Sequence, residues 1–380
     1  MRKSAPGPQA LLVALDFPPS RGGIQTMLHA LCCHARALNI TALVPANADA
    51  RAFDARQEYP IIRVGLPGLR PAAYLPQLLL HACRLTTVQR FDLLLLGHPM
   101  TLPIAMGLRR VGRRMPAAVF VYGSDVSVGW SRRLARLFLK QAGAVIAISH
   151  ATKAHAVRLG AEPSRIMVTP MGVDERHLQP ARGQLPAAWG LLGRRVILTV
   201  ARLDQWRKGH DTVLAALPAV IERVPEVCYV VAGSGPLQPA LEARAKNLKV
   251  ADHCLFIGPV SNEQLSALYQ VADVFVMPSR RDKHGQEGFG LVYLEANGHG
   301  KPVIAGRVPG ADEAVIDGET GLLVDPTQPD AVAQAITRLL LDEPLRRRLG
   351  DTGRERAEQL TWPKVVQSIE QHLVQLGSVQ

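Results

Sequence analysis

Two carboxylates frame the segment Glu287-Gly-Phe-Gly-Leu-Val-Tyr-Leu-Glu295. The run follows a short apolar stretch, 274–277, and a polar loop, 279–286, and leads into a helix expected to end near Gly298 or Gly300. Gly288 and Gly290 at a helix entrance leave backbone N–H groups accessible and let an anion approach closely, and the helix dipole adds attraction. Glu287, in the loop, and Glu295, about two turns into the helix, cannot hold a phosphate, but they can accept hydrogen bonds from sugar or ribose hydroxyls. The plainer reading is that Glu287 caps the helix and Glu295 is a solvated helix residue.

A second segment supplies the opposite charge. Val200-Ala-Arg202-Leu-Asp-Gln-Trp-Arg207-Lys208-Gly209 follows an expected strand and leads into a helix over 210–217. Cations at the carboxyl end of a parallel strand suit a pyrophosphate: Arg offers bidentate contact and Lys a point charge. Alternatively Arg202 and Lys208 form ordinary surface ion pairs. A third turn, Ala232-Gly-Ser-Gly-Pro236, also ends a strand, so Gly233 and Gly235 can make a tight turn bordering a nucleotide. Without a third glycine it is not a dinucleotide fingerprint.

Elements with the right periodicity are present to position these residues. Short apolar runs alternate with stretches of helical period, the pattern of parallel sheets covered by helices. Strands are expected at 11–15, 40–44, 93–96, 117–122, 144–148 and 166–168, then at 196–200, 228–232, 254–257, 274–276, 302–305 and 321–324. Each set fits one doubly wound α/β domain. A stretch rich in Pro, Gly and Ala, 179–193, reads as the linker. The expected division is 1–182, 183–361 and a terminal helical segment 362–380, with apolar positions at Val365, Val366, Ile369 and Leu373 that suit packing back on the first domain.

Composition narrows the class. With 380 residues, 47% hydrophobic and 20% charged, the chain can fill two cores. The five cysteines include no Cys-x-x-Cys pair and read as reduced thiols of a cytoplasmic protein. No apolar run reaches the ~18 residues of a membrane span, and the run at 11–15, closed by Asp16, reads as a buried strand rather than a signal peptide. Charge is uneven: residues 1–182 carry 23 basic and 9 acidic residues, a net +14, whereas the remainder carries 21 and 23, a net −2. The first half therefore invites an anionic partner. A basic nucleic-acid-binding protein is one alternative that the charge allows; aromatic residues at 5% and the lack of a recognition motif speak against it.

Together these motifs resemble the retaining glycosyltransferases of family four, with the GT-B fold: two Rossmann-like doubly wound domains facing each other across a cleft. The resemblance covers nearly the whole chain. It runs through Phe17-Pro-Pro-Ser-Arg-Gly22-Gly23-Ile24, Val145-Ile-Ala-Ile-Ser149, Thr169-Pro-Met-Gly172-Val-Asp174, the Arg202/Lys208 pair, Gly233-Ser-Gly-Pro, Glu287 to Glu295 and Pro309-Gly-Ala-Asp-Glu313-Ala-Val. Met277-Pro-Ser-Arg280 and Val292-Tyr-Leu-Glu295 look closest to the phosphatidylinositol mannosyltransferase subgroup. The resemblance implies that Arg202 and Lys208 hold a donor diphosphate and that Glu287 contacts donor-sugar hydroxyls beside the backbone of Gly288, Phe289, Gly290 and Leu291. Glu295 would bind the ribose, Gly233 would border the nucleotide, and Gly22 and Gly23 would approach the phosphate or the acceptor. The donor implied is a nucleotide sugar, GDP-mannose rather than a UDP-sugar. The acceptor implied is lipid-linked or a glycan precursor.

One departure stands out. Relatives often carry a His-Gly motif where this chain reads Val121-Tyr122-Gly123-Ser124-Asp125, so Tyr122 replaces the usual histidine while Asp125 remains available to a sugar or acceptor hydroxyl. The alternative that follows is a GT-B protein with impaired catalysis that still binds nucleotide sugar. His98, at the end of an earlier strand, is a further candidate, or simply structural. No Asp-x-Asp occurs, so no metal is expected and cations must stabilise the leaving diphosphate. The segment 131–140 places Arg132, Arg136 and Lys140 on one helical stripe and Leu134, Leu137 and Phe138 on another, with Arg109, Arg110, Arg113 and Arg114 nearby. It suggests peripheral attachment to an anionic membrane surface, on the inner face of the cytoplasmic membrane.

Overall fold

The computed structural model describes residues 7–378, apart from 124–132, 134, 135, 138, 141, 182 and 284. The chain divides into two compact units, 1–172 with 362–380, and 173–361. The expected boundary after residue 182 falls later than the observed one. The reason is the 3-10 turn Glu175–Leu178, which packs within the second unit, where Arg354 donates to the Leu178 carbonyl at 2.6 Å.

The first unit holds seven parallel strands in the order β3-β2-β1-β4-β5-β6-β7. In chain order its elements are β1 (Gln9–Val13), α1 (Gly23–His34), β2 (Asn39–Pro45), α2 (Ala50–Asp54), β3 (Ile61–Val64), α3 (Leu75–Val88), β4 (Leu93–Leu96), α4 (Leu102–Arg110), β5 (Ala117–Val121), β6 (Ala144–Ala147), α5 (His150–Arg158) and β7 (Ile166–Val168). The central strands are apolar throughout, as a sheet covered on both faces requires; all four leucines of β4 are buried. The edge strand β3 was not expected, because Arg63 interrupts its apolar run. Its guanidinium is accommodated by Asp54, at 2.8 Å through both Nε and Nη2, and by the Pro45 carbonyl.

The second unit has six parallel strands in the order β10-β9-β8-β11-β12-β13. It runs β8 (Arg195–Val200), α6 (His210–Arg223), β9 (Val227–Ala232), α7 (Gln238–Asn247), β10 (Cys254–Gly258), α8 (Asn262–Val271), β11 (Val274–Met277), α9 (Leu291–Gly298), β12 (Val303–Gly306), α10 (Ala311–Ala314), β13 (Gly321–Val324), α11 (Pro329–Leu341) and α12 (Glu343–Gln359). The strand order reverses direction at β8, which pairs with β9 on one side and β11 on the other. Crevices at such a switch point, outside the carboxyl ends of the strands, are where open α/β sheets bind ligands.

The last helix, α13 (Trp362–Ser378), belongs to the first unit and packs on α1. Its stripe of Val365, Val366, Ile369 and Leu373 is buried. Glu370, also buried, accepts hydrogen bonds from the amides of Ala37 and Leu38 at 2.5 and 2.8 Å.

Candidate functional site

The site in the second unit is assembled from three loops at the carboxyl ends of β8, β9 and β11. Val200 lies opposite Ala232 in the ladder, so the loops after β8 and β9 start side by side. They are in close backbone contact. A Cβ on Gly233, whose φ is +134°, would come within 2.0 Å of the Ala201 carbonyl oxygen, and one on Gly235 within 2.4 Å of the Leu203 carbonyl. The Gly-x-Gly turn is therefore required by the packing of the segment that carries Arg202.

The loop after β8 ends in a 3-10 turn, Trp206–Lys208, closed by Gly209 at φ +80°. A Cβ there would lie 2.3 Å from the Pro278 carbonyl oxygen, so this loop abuts the one after β11. Arg280 ties the same loops together. Its amide donates to the Arg207 carbonyl at 2.8 Å and its guanidinium grips Asp211 through two bonds of 2.9 and 2.8 Å.

This framework brings Lys208 and Glu287 together. Lys208 Nζ donates to Glu287 Oε2 at 2.6 Å, with both side chains less than one-fifth exposed. Burial alone would push the Glu287 carboxyl up, but the Lys208 ammonium beside it, the Arg207 charge and the Gly288 amide hold it below the ordinary carboxylate range. Among the described residues the ammonium spends one of its three donors, on Glu287, so two remain for an anion. Next in the chain, Gly290 at φ +91° opens α9 with no side-chain cap; the Tyr293 amide donates to the Gly290 carbonyl at 3.0 Å, which leaves the Leu291 and Val292 amides for a ligand, while Phe289 is buried as an anchor. Leu291 is the first helical residue.

Glu295 lies only a little over one turn into α9, not two, because the helix starts at Leu291. It is half-buried and accepts a 2.8 Å hydrogen bond from the Tyr269 hydroxyl at Oε2. Arg202, in the loop after β8, has a side chain that is 71% exposed and pairs at 3.4 Å with Asp204, the surface ion pair that its segment allowed. A pair so exposed is worth ~0–1 kcal/mol, and the guanidinium is free to re-orient.

Sequence reasoning missed His210, the first residue of α6. Burial, then the Lys208 charge, push this imidazole down to about 4, so it stays neutral beside the cation, with Nδ1 3.1 Å from the Tyr229 hydroxyl. No motif marks it; only its place after Lys208-Gly209 hints at the site.

In the first unit, Gly22 and Gly23 form the entry to α1, where the Thr26 amide and hydroxyl donate to the Gly22 carbonyl at 3.0 and 2.9 Å. A Cβ on Gly23 would meet nothing closer than Met171 at 3.7 Å, so that position tolerates a side chain. Tyr122 directly follows β5 and is buried. Asp125 lies outside the described residues. His98 has a local structural role: its Nδ1 accepts from the Met100 amide at 3.0 Å and caps the turn Pro99–Thr101.

Comparison with known proteins agrees with this organisation. The family "Glycosyltransferase Family 4" matches residues 21–177, and "Glycosyl transferases group 1" matches residues 184–356. A GDP-mannose-dependent alpha-(1-6)-phosphatidylinositol monomannoside mannosyltransferase of Mycolicibacterium smegmatis is 34% identical over 360 residues, spanning 90% of this chain and 92% of that protein. Its counterpart of the same description in Mycobacterium tuberculosis is 34% identical over 367 residues, spanning 91% and 93%. Among solved structures, Anabaena HepE in complex with UDP superposes with a TM-score of 0.80 at 20% identity, covering 97% of this chain and all of the other. Sucrose-phosphate synthase from Thermosynechococcus elongatus gives 0.80 at 25% identity, covering 98% and 100%.

The molecule is thus a nucleotide-sugar-dependent glycosyltransferase with the GT-B fold. The chain belongs to glycosyltransferase family four, close to the GDP-mannose-dependent mannosyltransferases.

Proposed function

We propose that this enzyme transfers mannose from GDP-mannose to a lipid-linked acceptor of the phosphatidylinositol-mannoside kind, with retention of anomeric configuration and without a metal ion. The observation that carries the reading is the buried Lys208–Glu287 pair at the uncapped start of α9. When the bond from the sugar to the diphosphate breaks, negative charge develops on phosphate oxygens. Lys208 and the Leu291 and Val292 amides at the start of α9 are preorganised donors for that charge, and Arg202 joins them by re-orienting. Glu287, kept ionised by Lys208, is an acceptor for sugar hydroxyls, and Glu295 for those of the ribose. Mannose, GDP and the lipid acceptor rest on the 34%-identical relatives, which are named for them.

Thermal shift in EDTA with GDP, UDP and ADP tests the donor, and transfer from labelled GDP-mannose in EDTA tests metal independence. GDP should raise the melting temperature most, since at a hundred times Kd a ligand adds ~2.7 kcal/mol. A larger rise with UDP, or transfer abolished by EDTA and restored by magnesium, refutes the corresponding part.

A lipid acceptor calls for membrane contact, and the first unit supplies the charge for it. Arg109 and Arg110 end α4 and, with Arg113 and Arg114, are exposed around Val111, itself 60% exposed. Arg133 and Arg136 are also exposed, and Leu137 beside them is 55% exposed rather than packed on the sheet. Arg132, Leu134 and Phe138 lie outside the described residues. Among the described residues no helix is long and apolar enough to cross a membrane. Each basic residue near an anionic leaflet contributes ~1 kcal/mol, so a few together give salt-sensitive attachment. Wild-type protein should sediment with phosphatidylglycerol vesicles at low salt and release at high salt, and an Arg133→Glu/Arg136→Glu variant should stay in the supernatant. Equal pelleting of the two proteins defeats the proposal.

A further inference from the structure

The turn that follows Gly172 carries His177 into an aromatic cluster behind Glu295. Tyr269, on α8, is fully buried. Its ring stacks on His299 (centroids 5.5 Å apart, planes 15° apart), meets His177 edge-on at 5.7 Å and leans on Phe275 at 5.9 Å. His177 Nδ1 lies 3.2 Å from His299 Nε2, and Ser266 Oγ lies 3.4 Å from the same nitrogen. Burial, then His177, Lys301 and Arg354, push the His299 imidazole down to about 3, so the stack is uncharged. Burial and the Glu295 charge push the Tyr269 phenol well up, so it is always a donor. The Arg176 guanidinium, held mainly by Asp174, also lies in the field of Glu295.

We propose that Tyr269 is a positioning residue for nucleotide recognition: its phenol fixes Oε2 of Glu295 so that Oε1 is set to accept from the ribose hydroxyls. The inference rests on the reading of Glu295 as the ribose carboxylate. A Glu side chain has three rotatable bonds and samples several rotamers in solvent, so one that must meet a diol binds better when already ordered. The phenol is itself immobilised, because three rings and a histidine–histidine hydrogen bond surround it. Among the described residues Tyr269 is the only hydrogen-bond partner of the Glu295 carboxylate, which leaves Oε1 for the ligand. The segment around Asp174 acquires a purpose from this: it delivers His177 to the back of the ring that holds Glu295.

Calorimetric titration of the full chain with GDP and with 2′,3′-dideoxy-GDP tests the proposal. Wild type should bind GDP at least tenfold more tightly than the dideoxy form. Tyr269→Phe, which keeps the ring and its stacking, should lose about five- to tenfold of GDP affinity and none of the dideoxy affinity. Glu295→Ala should bind both equally, and the double variant should be no weaker than Glu295→Ala alone. Glu295→Asp leaves the buried ring untouched but withdraws the carboxylate from both the phenol and the ribose, so it should lose at least as much GDP affinity as Tyr269→Phe. Equal weakening of both ligands by Tyr269→Phe, or an unchanged preference in Tyr269→Phe and Glu295→Asp, overturns the positioning role. A preference that survives Glu295→Ala instead overturns the ribose reading itself. If GDP does not bind, the nucleotide that does and its dideoxy form take its place, because the contact is with the sugar and not the base.

Discussion

Lys208→Ala should lower kcat/KM by about 10²–10³-fold and shift the acid limb of the pH–rate profile upward. Two effects act together. The variant loses a fixed cation where charge develops on the leaving diphosphate, and removing one such donor from a preorganised site costs about 3–4 kcal/mol of transition-state stabilisation. It also strands Glu287, which is 16% exposed and would face burial without its main counter-charge. In the wild type the folded Glu287 carboxyl lies below its ordinary range. The pair's stabilisation is therefore complete above the unfolded pKa and is lost as pH falls through the lower folded value. Without Lys208, burial becomes the dominant influence, the carboxyl moves up, and protonation sets in at a higher pH. Lys208→Ala/Glu287→Gln should recover part of the thermal stability lost in Lys208→Ala, since no buried charge is left unpaired. Kinetics from pH 4 to 9, with melting curves for the three proteins, check this; an unshifted acid limb and unchanged kcat/KM in Lys208→Ala would remove Lys208 from the donor site.

The residues of that pair were legible in the sequence, but their partnership was not. Glu287 and Lys208 each sit in a segment whose charge and glycines mark a strand-to-helix turn, yet 79 residues separate them and no local period links them. Only the strand order, which puts β11 beside β8, brings their loops together. Twelve strands could be read because buried parallel strands are nearly continuous apolar runs. β3 could not, because its arginine is held in the sheet edge by an ion pair that spacing does not reveal. Arg202 was legible as a cation at a strand end, and the structure shows it in the exposed ion pair, with Asp204, that its segment also allowed. Tyr269 went unremarked because a tyrosine on the apolar face of a helix reads as core, and its hydroxyl's partner lies 26 residues onward. The Pro309-Gly-Ala-Asp-Glu313 segment contributed only to the resemblance, although the structure gives its glycine a specific task.

Gly310→Ala should destabilise the second unit and displace the donor loop together. Gly310 has φ +97°, and a Cβ placed there would lie 2.5 Å from the Glu287 carbonyl oxygen and 2.8 Å from that of Gly288. Both contacts are with backbone, so no side chain can swing away to relieve them. The same two segments are tied a second time, where the Gln286 side chain donates through Nε2 to the carbonyl of the adjacent Pro309 at 2.9 Å. An alanine must therefore displace the backbone of Glu287 and Gly288, and with it the Lys208–Glu287 pair. The backbone conformation alone costs ~1–3 kcal/mol for a residue with a side chain, and the steric conflict brings the total to about 3–5 kcal/mol. At roughly 2–4 °C per kcal/mol for a domain of this size, the melting temperature should fall by about 6–20 °C. Gly318→Ala separates the two contributions, because Gly318 has φ +75° but nothing within 4 Å of its added Cβ. That variant should lose only ~1–2 kcal/mol and keep the wild-type KM for the donor, whereas Gly310→Ala should raise KM at least tenfold. Melting curves and donor KM for both variants decide the matter. If the two glycines respond alike, close packing of Gly310 against the donor loop is not what holds Glu287 in place.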